Sequence, residues 1–269
     1  MFDSGVGGLT VLRALRSALP RESFVYLGDT ARLPYGTKSA ESVVRYSVQA
    51  AEALVERRIK CLVIACNTAS AVALSALRDR LAPLPVVGVI EPGAQAACAA
   101  SQSGRIAVIA TEGTVQGGAY QRAIHAIRPD ARVIAQACSL FVALAEEGWT
   151  EGPLVEGIVR RYFDPIFAVP RAEHPDCLVL GCTHFPVLKG VMHEVVGADV
   201  AIVDSAETTA AAVRELLASR RIATEAVATG GGAGRVQLMA TDSRERFARV
   251  SSTFFGSGVR PESVELVDL

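Results

Sequence analysis

The sequence lacks a strong charge of either sign, and this absence limits the partners that the protein could bind. Its 269 residues include 27 Lys and Arg against 28 Asp and Glu, a formal net charge of −1. Nucleic-acid binding depends on a basic surface, because much of its affinity comes from neutralising phosphates. The arginines are scattered, without a run that could follow a phosphate backbone. We therefore expect no nucleic-acid partner.

Long apolar runs are also missing. The longest uncharged stretch, residues 61–77, is interrupted by polar residues and is too short and too polar to cross a bilayer. The chain opens Met1-Phe2-Asp3-Ser4-Gly5, without the basic and apolar segments of a secretory signal. These features predict a soluble, cytoplasmic protein with no membrane partner.

The six cysteines include no CxxC pair. A cytosolic chain of this length keeps its thiols reduced, so we expect no disulfide framework. The spacing also argues against a cysteine-rich metal site, and we expect no metal and no cofactor. Four of the thiols are interpreted as small buried hydrophobes, namely Cys61, Cys98, Cys138 and Cys177.

A short phrase occurs twice in the chain. Residues 61–68 read Cys-Leu-Val-Ile-Ala-Cys-Asn-Thr, and residues 177–184 read Cys-Leu-Val-Leu-Gly-Cys-Thr-His. An apolar run that stops at small polar residues is typical of a buried strand leading into a helix. Cys66 and Cys182 should therefore lie at the carboxyl ends of strands, where open α/β sheets bind ligands.

Strand and helix patterns alternate along almost the whole chain, which predicts an α/β protein with parallel sheets and helices on both faces. The repeated phrase indicates two similar doubly wound domains with an active site in the cleft between them. We place residues 1–95 plus 206–269 in the first domain and residues 96–205 in the second.

Two cysteines on mirrored elements favour a pair of matched acid–base groups, one on each face of a carbon centre. A helix N-terminus should lower the pKa of each thiol. The alternative interpretation is that both cysteines merely fill the core at strand ends. Asp3, at the start of a glycine-rich loop, is either a helix cap or a partner for a thiol. His184 could tune the neighbouring Cys182, whereas Glu146 and Glu147 are more typical of a surface pair.

Six ordered motifs give the chain a resemblance that spans nearly its whole length. They are Asp3-Ser4-Gly5-Val6-Gly7-Gly8-Leu9, Pro34-Tyr35-Gly36, Cys66-Asn67-Thr68-Ala69-Ser70, Thr111-Glu112-Gly113-Thr114-Val115, Leu140-Phe141-Val142 continuing to Glu146-Glu147-Gly148, and Gly181-Cys182-Thr183-His184-Phe185-Pro186. On these motifs the chain resembles the cofactor-independent aspartate/glutamate racemase family, and most closely its glutamate branch.

The resemblance implies an enzyme that interconverts L-glutamate and D-glutamate, without metal or pyridoxal phosphate, to supply D-glutamate for peptidoglycan. It implies that Cys66 takes the α-proton of D-glutamate and Cys182 that of L-glutamate. Asp3 would assist Cys66, while His184 and Glu146 would assist Cys182. The implied substrate-binding residues are Asp3, Ser4, Tyr35, Gly36, Asn67, Thr68, Thr114, Thr183 and His184. The sequence leaves a homodimer open, and it does not divide the roles of Glu146 and Glu147.

One departure from the family pattern concerns the first strand. Only Met1 and Phe2 precede Asp3, where the family has several more residues. We expect a central strand reduced to a stub, a loop around Asp3 without its anchor, and a natural start upstream of Met1.

Three rival functions share some of these features. A racemase or isomerase acting on aspartate, hydantoins or maleate would keep both cysteines, and a non-catalytic small-acid binding protein would keep only the cleft. A cysteine phosphatase needs an arginine six residues after its cysteine, but Val72 and Leu188 occupy those positions. The pairs Asn67-Thr68 and Thr183-His184 resemble the glutamate-specific branch of the family, and this resemblance favours glutamate.

Overall fold

The computed structural model describes residues 1–224, 233–256 and 258–269. Residues 221–235 are glycine-rich and poorly patterned, which predicts a surface loop or crossing, and this segment lies partly outside the described residues. The strands are β1 (Phe2–Asp3), β2 (Phe24–Gly28), β3 (Leu62–Ile64), β4 (Val86–Gly88), β5 (Arg105–Ala110), β6 (Arg132–Ala137), β7 (Cys177–Gly181), β8 (Ala201–Asp204), β9 (Val236–Ala240) and β10 (Val264–Leu266).

Helices connect these strands throughout the described chain. They are α1 (Leu9–Ala18), α2 (Ala40–Val55), α3 (Asn67–Leu81), α4 (Ile90–Ala100), α5 (Glu112–Gly117), α6 (Ala119–Ile127), α7 (Leu140–Glu146), α8 (Pro153–Phe167), α9 (Lys189–Val196), α10 (Ser205–Ser219) and α11 (Arg244–Phe255). Short 3₁₀ helices cover Tyr35–Thr37, Arg171–Glu173, Phe185–Leu188 and Pro261–Ser263.

The strands form two parallel sheets, which confirms the predicted fold class. The first has the order β10-β9-β2-β1-β3-β4 and the second β6-β5-β7-β8. Without β9 and β10, the first order β2-β1-β3-β4 matches the second strand for strand. The strands that carry the two cysteine phrases, β3 and β7, therefore occupy equivalent places in two similar domains.

Apolar clusters cover both faces of each sheet. Neighbouring residues of a strand point to opposite faces, so they belong to different clusters. In β3, Val63 belongs to one apolar cluster and Leu62 and Ile64 to another. In β7, Leu178 and Val179 divide in the same way between two further clusters. These four clusters pack against the two faces of each sheet.

Strand β1 is short, but the expectation that the Asp3 loop loses its anchor is wrong. Phe2 pairs with Leu27 on one side and Ile64 on the other. The Phe2 carbonyl accepts a hydrogen bond from Ala65 N at 2.9 Å, and the Asp3 carbonyl accepts one from Asp29 N at 3.0 Å. Two residues are enough to anchor the loop because both neighbouring strands bond to them.

Helix α4 begins earlier than the sequence pattern predicts. The apolar run Val86–Ile90 predicts a strand and the small residues from Ala94 predict a helix, but the helix starts at Ile90. It contains Pro92 in its first turn, where proline is tolerated. Ile90, Ala94 and Ala97 pack in a cluster of the second sheet. A domain boundary at residue 95 would cut this helix, so we propose that the second domain begins near residue 89. The boundary at 205/206 stays a prediction.

Two further elements went unpredicted. The sequence pattern predicts that the strand over Arg105–Ala110 ends in residues 111–114 and that the next helix starts near Gly118, but helix α5 already begins at Glu112. Strand β10 extends the first sheet near the end of the chain. Both are short, and short elements carry too little periodicity to be recognised.

Candidate active site

Cys66 lies at the end of β3, where it caps helix α3. Its Sγ accepts a hydrogen bond from Ala69 N at 3.5 Å. Burial and, after it, the neighbouring Asp3 carboxylate raise the pKa of this thiol to about 12, while the Ala69 N–H acts to lower it. The expectation of a lowered pKa is therefore wrong for Cys66, because the loss of hydration outweighs the helix N-terminus.

Asp3 is fully buried between the two domains. Its Oδ2 accepts a hydrogen bond from Gly5 N at 3.0 Å, and its Oδ1 accepts one from the Thr183 hydroxyl at 3.4 Å. Burial raises the pKa of Asp3, whereas the charge of His184 and the surrounding backbone N–H groups, including that of Ser4, act to lower it. Asp3 thus connects the Cys66 side of the site to the loop that follows Cys182.

The glycine-rich loop after Asp3 packs directly on the second cysteine loop. A Cβ atom at Gly7 would lie 2.4 Å from His184 Nδ1 and 2.5 Å from Thr183 Oγ1. Thr10, one turn further on, donates a hydrogen bond to the Thr183 carbonyl at 3.0 Å. Only glycine at position 7 permits this close approach of the two domains.

His184 forms the centre of a chain of polar contacts on the Cys182 side. Its Nδ1 lies 3.9 Å from Cys182 Sγ, and its Nε2 lies 3.2 Å from Glu146 Oε1. The other oxygen of Glu146 accepts a hydrogen bond from Arg246 at 2.8 Å. No hydrogen bond or ion pair joins the Glu147 side chain to any residue within the described ranges. Of the two adjacent glutamates, Glu146 is therefore the one that contacts His184.

The charge of His184 follows from these neighbours. Burial acts to lower its pKa, but the hydrogen bonds to Cys182 and Glu146 and the charges of Cys182 and Asp3 outweigh burial, and the pKa rises to about 10. The pKa of Glu146 is lowered, because the contacts with His184 and Arg246 outweigh its own burial. At neutral pH an imidazolium therefore stands beside the sulfur of Cys182.

Hydroxyl and amide groups fill the space beside Cys66. Thr68 Oγ1 lies 3.0 Å from Thr111 Oγ1 and 3.2 Å from Thr114 Oγ1. Asn67 Oδ1 accepts a hydrogen bond from the Tyr120 hydroxyl at 2.8 Å. Because these groups come from both domains, the site is assembled at their interface.

The segment of Tyr35 and Gly36 approaches the same region through its backbone. Gly36 packs against the side chain of Thr111. The Tyr35 hydroxyl donates a hydrogen bond to Asp29, a buried carboxylate that also accepts one from Arg32. Tyr35 can therefore offer a ligand its backbone, but its hydroxyl is already engaged.

The structure brings the predicted residues together at the carboxyl edges of β1, β3 and β7. Cys66 and Cys182 are each 5% exposed, so the site is enclosed. Sequence reasoning missed Thr10, Tyr120 and Arg246, which touch the predicted residues from helices distant in the chain. A hydroxyl or guanidinium on an amphipathic helix resembles any surface residue until the partner helix is placed.

Two absences apply to the described residues alone. Residues 1–224, 233–256 and 258–269 contain no group of three His, Cys, Asp or Glu side chains arranged to bind a metal ion. Over the same ranges, no helix is both long enough and apolar enough to span a membrane.

Comparison with known proteins supplies the family. The family model described as Asp/Glu/Hydantoin racemase matches residues 8–213. A glutamate racemase of Geobacter metallireducens is 50% identical over 256 residues, which cover 95% of this chain and 92% of the relative.

Solved structures agree with the sequence relatives. The structure of a glutamate racemase isoform from Bacillus anthracis superposes with a TM-score of 0.90 at 36% identity, covering 100% of this chain and 96% of that one. A glutamate racemase from Francisella tularensis in complex with D-glutamate superposes with a TM-score of 0.88 at 31% identity, covering 99% and 96%. The chain is therefore an enzyme, a racemase that belongs to the Asp/Glu/Hydantoin racemase family.

Proposed function

We propose that this racemase interconverts L-glutamate and D-glutamate, with Cys66 and Cys182 as two bases on opposite faces of the α-carbon. The names of its relatives support the substrate, because the Geobacter relative, at 50% identity over 95% of the chain, is a glutamate racemase. The observation that carries the mechanism is the equivalent placement of the two cysteines at the ends of β3 and β7.

The protonated Cys66 thiol suits the role of proton donor when L-glutamate is the substrate. The Cys66 thiol, with a pKa of about 12, carries its proton at neutral pH, and the His184 imidazolium stands 3.9 Å from Cys182. Cys182 as thiolate takes the α-proton of L-glutamate, and the electron pair stays on the carbanion. Cys66 then gives its proton to the opposite face, which leaves Cys66 as the thiolate and Cys182 as the thiol. The reverse reaction exchanges these roles.

Asp3, His184 and Glu146 act through charge. Asp3 faces the Cys66 side and raises the pKa of that thiol. The His184 imidazolium balances the negative charge on Cys182, and Glu146 holds the imidazolium in its charged form. Asp3 therefore opposes a negative charge on Cys66, and the His184 imidazolium balances a negative charge on Cys182.

Substrate binding falls to the donors around the two cysteines. The carbanion of an amino acid is stabilised by donors that face its carboxylate, because no cofactor delocalises the charge in this mechanism. We propose that Ser4, Asn67, Thr68, Thr114 and Thr183 supply these donors, together with the backbone of Tyr35 and Gly36. The burial of Asn67, Thr68, Thr114 and Thr183 strengthens each of these hydrogen bonds.

Family membership also supports a cellular role. We propose that the enzyme works in the cytoplasm and supplies D-glutamate for peptidoglycan, and a homodimer stays a prediction. Expression in a bacterial strain that requires D-glutamate tests this role. Growth without added D-glutamate supports it, and continued dependence contradicts it.

The activity itself is tested by chiral chromatography after incubation with L-glutamate or L-aspartate. We expect D-glutamate to form much faster than D-aspartate, and Cys66→Ala and Cys182→Ala each to abolish both reactions. Cys98→Ala is the control, because Cys98 lies in α4 away from the site. Faster conversion of aspartate would favour the second candidate, an aspartate racemase.

A further inference from the structure

A tyrosine of the second sheet's domain reaches the first cysteine loop. Tyr120 in α6 donates its hydroxyl hydrogen to Asn67 Oδ1 at 2.8 Å. The two side chains are 1% and 3% exposed, so this hydrogen bond is closed off from water. It joins the two domains at the residue that immediately follows Cys66.

The nitrogen atom of the same amide indicates that a ligand binds here. Asn67 Nδ2 is buried and has no hydrogen-bond partner among the described residues. An unsatisfied buried amide nitrogen is costly, and in a native site it indicates an acceptor supplied from outside the chain. A carboxylate oxygen of an amino acid is an acceptor of the right kind.

We propose that Tyr120 is a positioning residue that holds the Asn67 amide with its Nδ2 donor turned toward the substrate carboxylate. This inference rests on the proposed function, because it assumes a carboxylate substrate. The oxygen and the nitrogen of a side-chain amide are similar in size, but the oxygen accepts hydrogen bonds and the nitrogen donates them. A neighbouring group must therefore fix which of the two atoms faces the substrate. Within the described ranges Asn67 Oδ1 is the acceptor of the Tyr120 hydroxyl, and the reversed amide would leave that hydroxyl hydrogen without one.

The tyrosine is well suited to this task because its hydroxyl stays protonated. Burial raises the pKa of Tyr120, and negative charge on Cys182 and Asp204 raises it further. The hydroxyl therefore remains a donor at every pH at which the enzyme works.

The ring is also fixed in place from both edges. A Cβ atom at Gly93 would lie 3.2 Å from Tyr120 Cε1, and a Cβ atom at Gly181 would lie 3.0 Å from Cε2. The two glycines thus leave a slot for the ring between α4 and the end of β7. Gly181 directly precedes Cys182, so this slot lies beside the second catalytic cysteine.

The test is the variant Tyr120→Phe, which removes one oxygen atom and keeps the ring. We expect the KM for glutamate to rise about tenfold, the factor that corresponds to 1.4 kcal/mol, while kcat changes by less than about threefold. In an Asn67→Ala background the same substitution should change KM by less than about twofold, because the residue through which Tyr120 acts is gone. Tyr162→Phe is the control, since that hydroxyl contacts Leu140 N in another part of the domain.

An equal rise of KM in both backgrounds would show that Tyr120 acts by packing and would overturn the proposal, as would an unchanged KM in Tyr120→Phe. If Tyr120→Phe does not fold, Asn67→Asp decides. It keeps the acceptor for Tyr120 but lacks the donor, so an unchanged KM in this variant also overturns the proposal. A parent enzyme that does not racemise glutamate would refute the proposed function itself, which distinguishes the two failures.

Discussion

The contact with Cys182 and, after it, the contact with Glu146 raise the pKa of His184, and the substitution Glu146→Gln tests the part that Glu146 contributes. The rise from the ordinary value of 6.5 to about 10 corresponds to roughly 5 kcal/mol in favour of the imidazolium. A carboxylate within hydrogen-bond distance shifts a partner's pKa by about 1 to 3. The glutamine side chain would keep an acceptor oxygen but remove the charge, so we expect the pKa of His184 to fall by about that amount.

The sign of the pH effect follows directly. Activity requires the imidazolium, so kcat/KM should fall as pH rises through the pKa of His184, near 10 in the parent enzyme. In Glu146→Gln this descending limb should move to lower pH by about 1 to 3. The charged histidine also stabilises the fold fully below about pH 6.5, and this contribution is lost as pH rises through about 10.

Two measurements follow the change independently. NMR titration of the ring protons reports the pKa of each of the four histidines, and His184→Asn identifies the relevant signal by its loss. The pH profile of racemisation reports the same group in the working enzyme. Glu147→Gln is the matched control, because its side chain has no polar contact within the described residues and should leave both measurements unchanged. An unaltered His184 titration in Glu146→Gln would refute the role assigned to Glu146.

Two other predictions concern the glycine-rich loop and the first cysteine. Gly7→Ala places a Cβ atom 2.4 Å from His184 Nδ1. We therefore expect racemisation to be lost and urea denaturation to show a destabilisation of about 1–3 kcal/mol. Gly157→Ala is the control, because a Cβ atom at that position would have nothing within 4 Å and should change neither measurement. The second prediction concerns the rate at which iodoacetamide alkylates Cys66, measured by peptide mass spectrometry. Because the pKa of Cys66 is about 12, this rate should still rise about tenfold per pH unit at pH 10. A rate that levels off near pH 8.5 would contradict the effect of burial on the pKa.

The alternation of strand and helix patterns predicted the α/β class, and the repeated cysteine phrase predicted two similar domains. Its apolar runs became β3 and β7, which hold equivalent places in two sheets of matching order. Such runs are informative because a strand buried on both faces must be apolar along its whole length. The motif loops likewise predicted most residues that surround the two cysteines.

The pKa of Cys66 could not be predicted from its place in the chain. The helix N-terminus is visible in the sequence and favours a thiolate, but the depth of burial and the nearby Asp3 charge come from the assembled domains. The same holds for Arg246 and Tyr120, whose helices α11 and α6 are brought to Glu146 and Asn67 only by tertiary packing. Sequence patterns report the local environment, whereas these effects depend on residues remote in the chain.

The most direct test of the two-base claim is the isotope content of both enantiomers early in the reaction. L-glutamate is incubated with the enzyme in heavy water, and the reaction is stopped below about 10% conversion, so that reversal is negligible. Two opposed bases should give D-glutamate that carries deuterium at the α-carbon, while the remaining L-glutamate keeps its protium. Protium retained in D-glutamate, or deuterium that enters L-glutamate as fast as D-glutamate forms, would show that one group serves both faces and would contradict the assignment of Cys66 and Cys182.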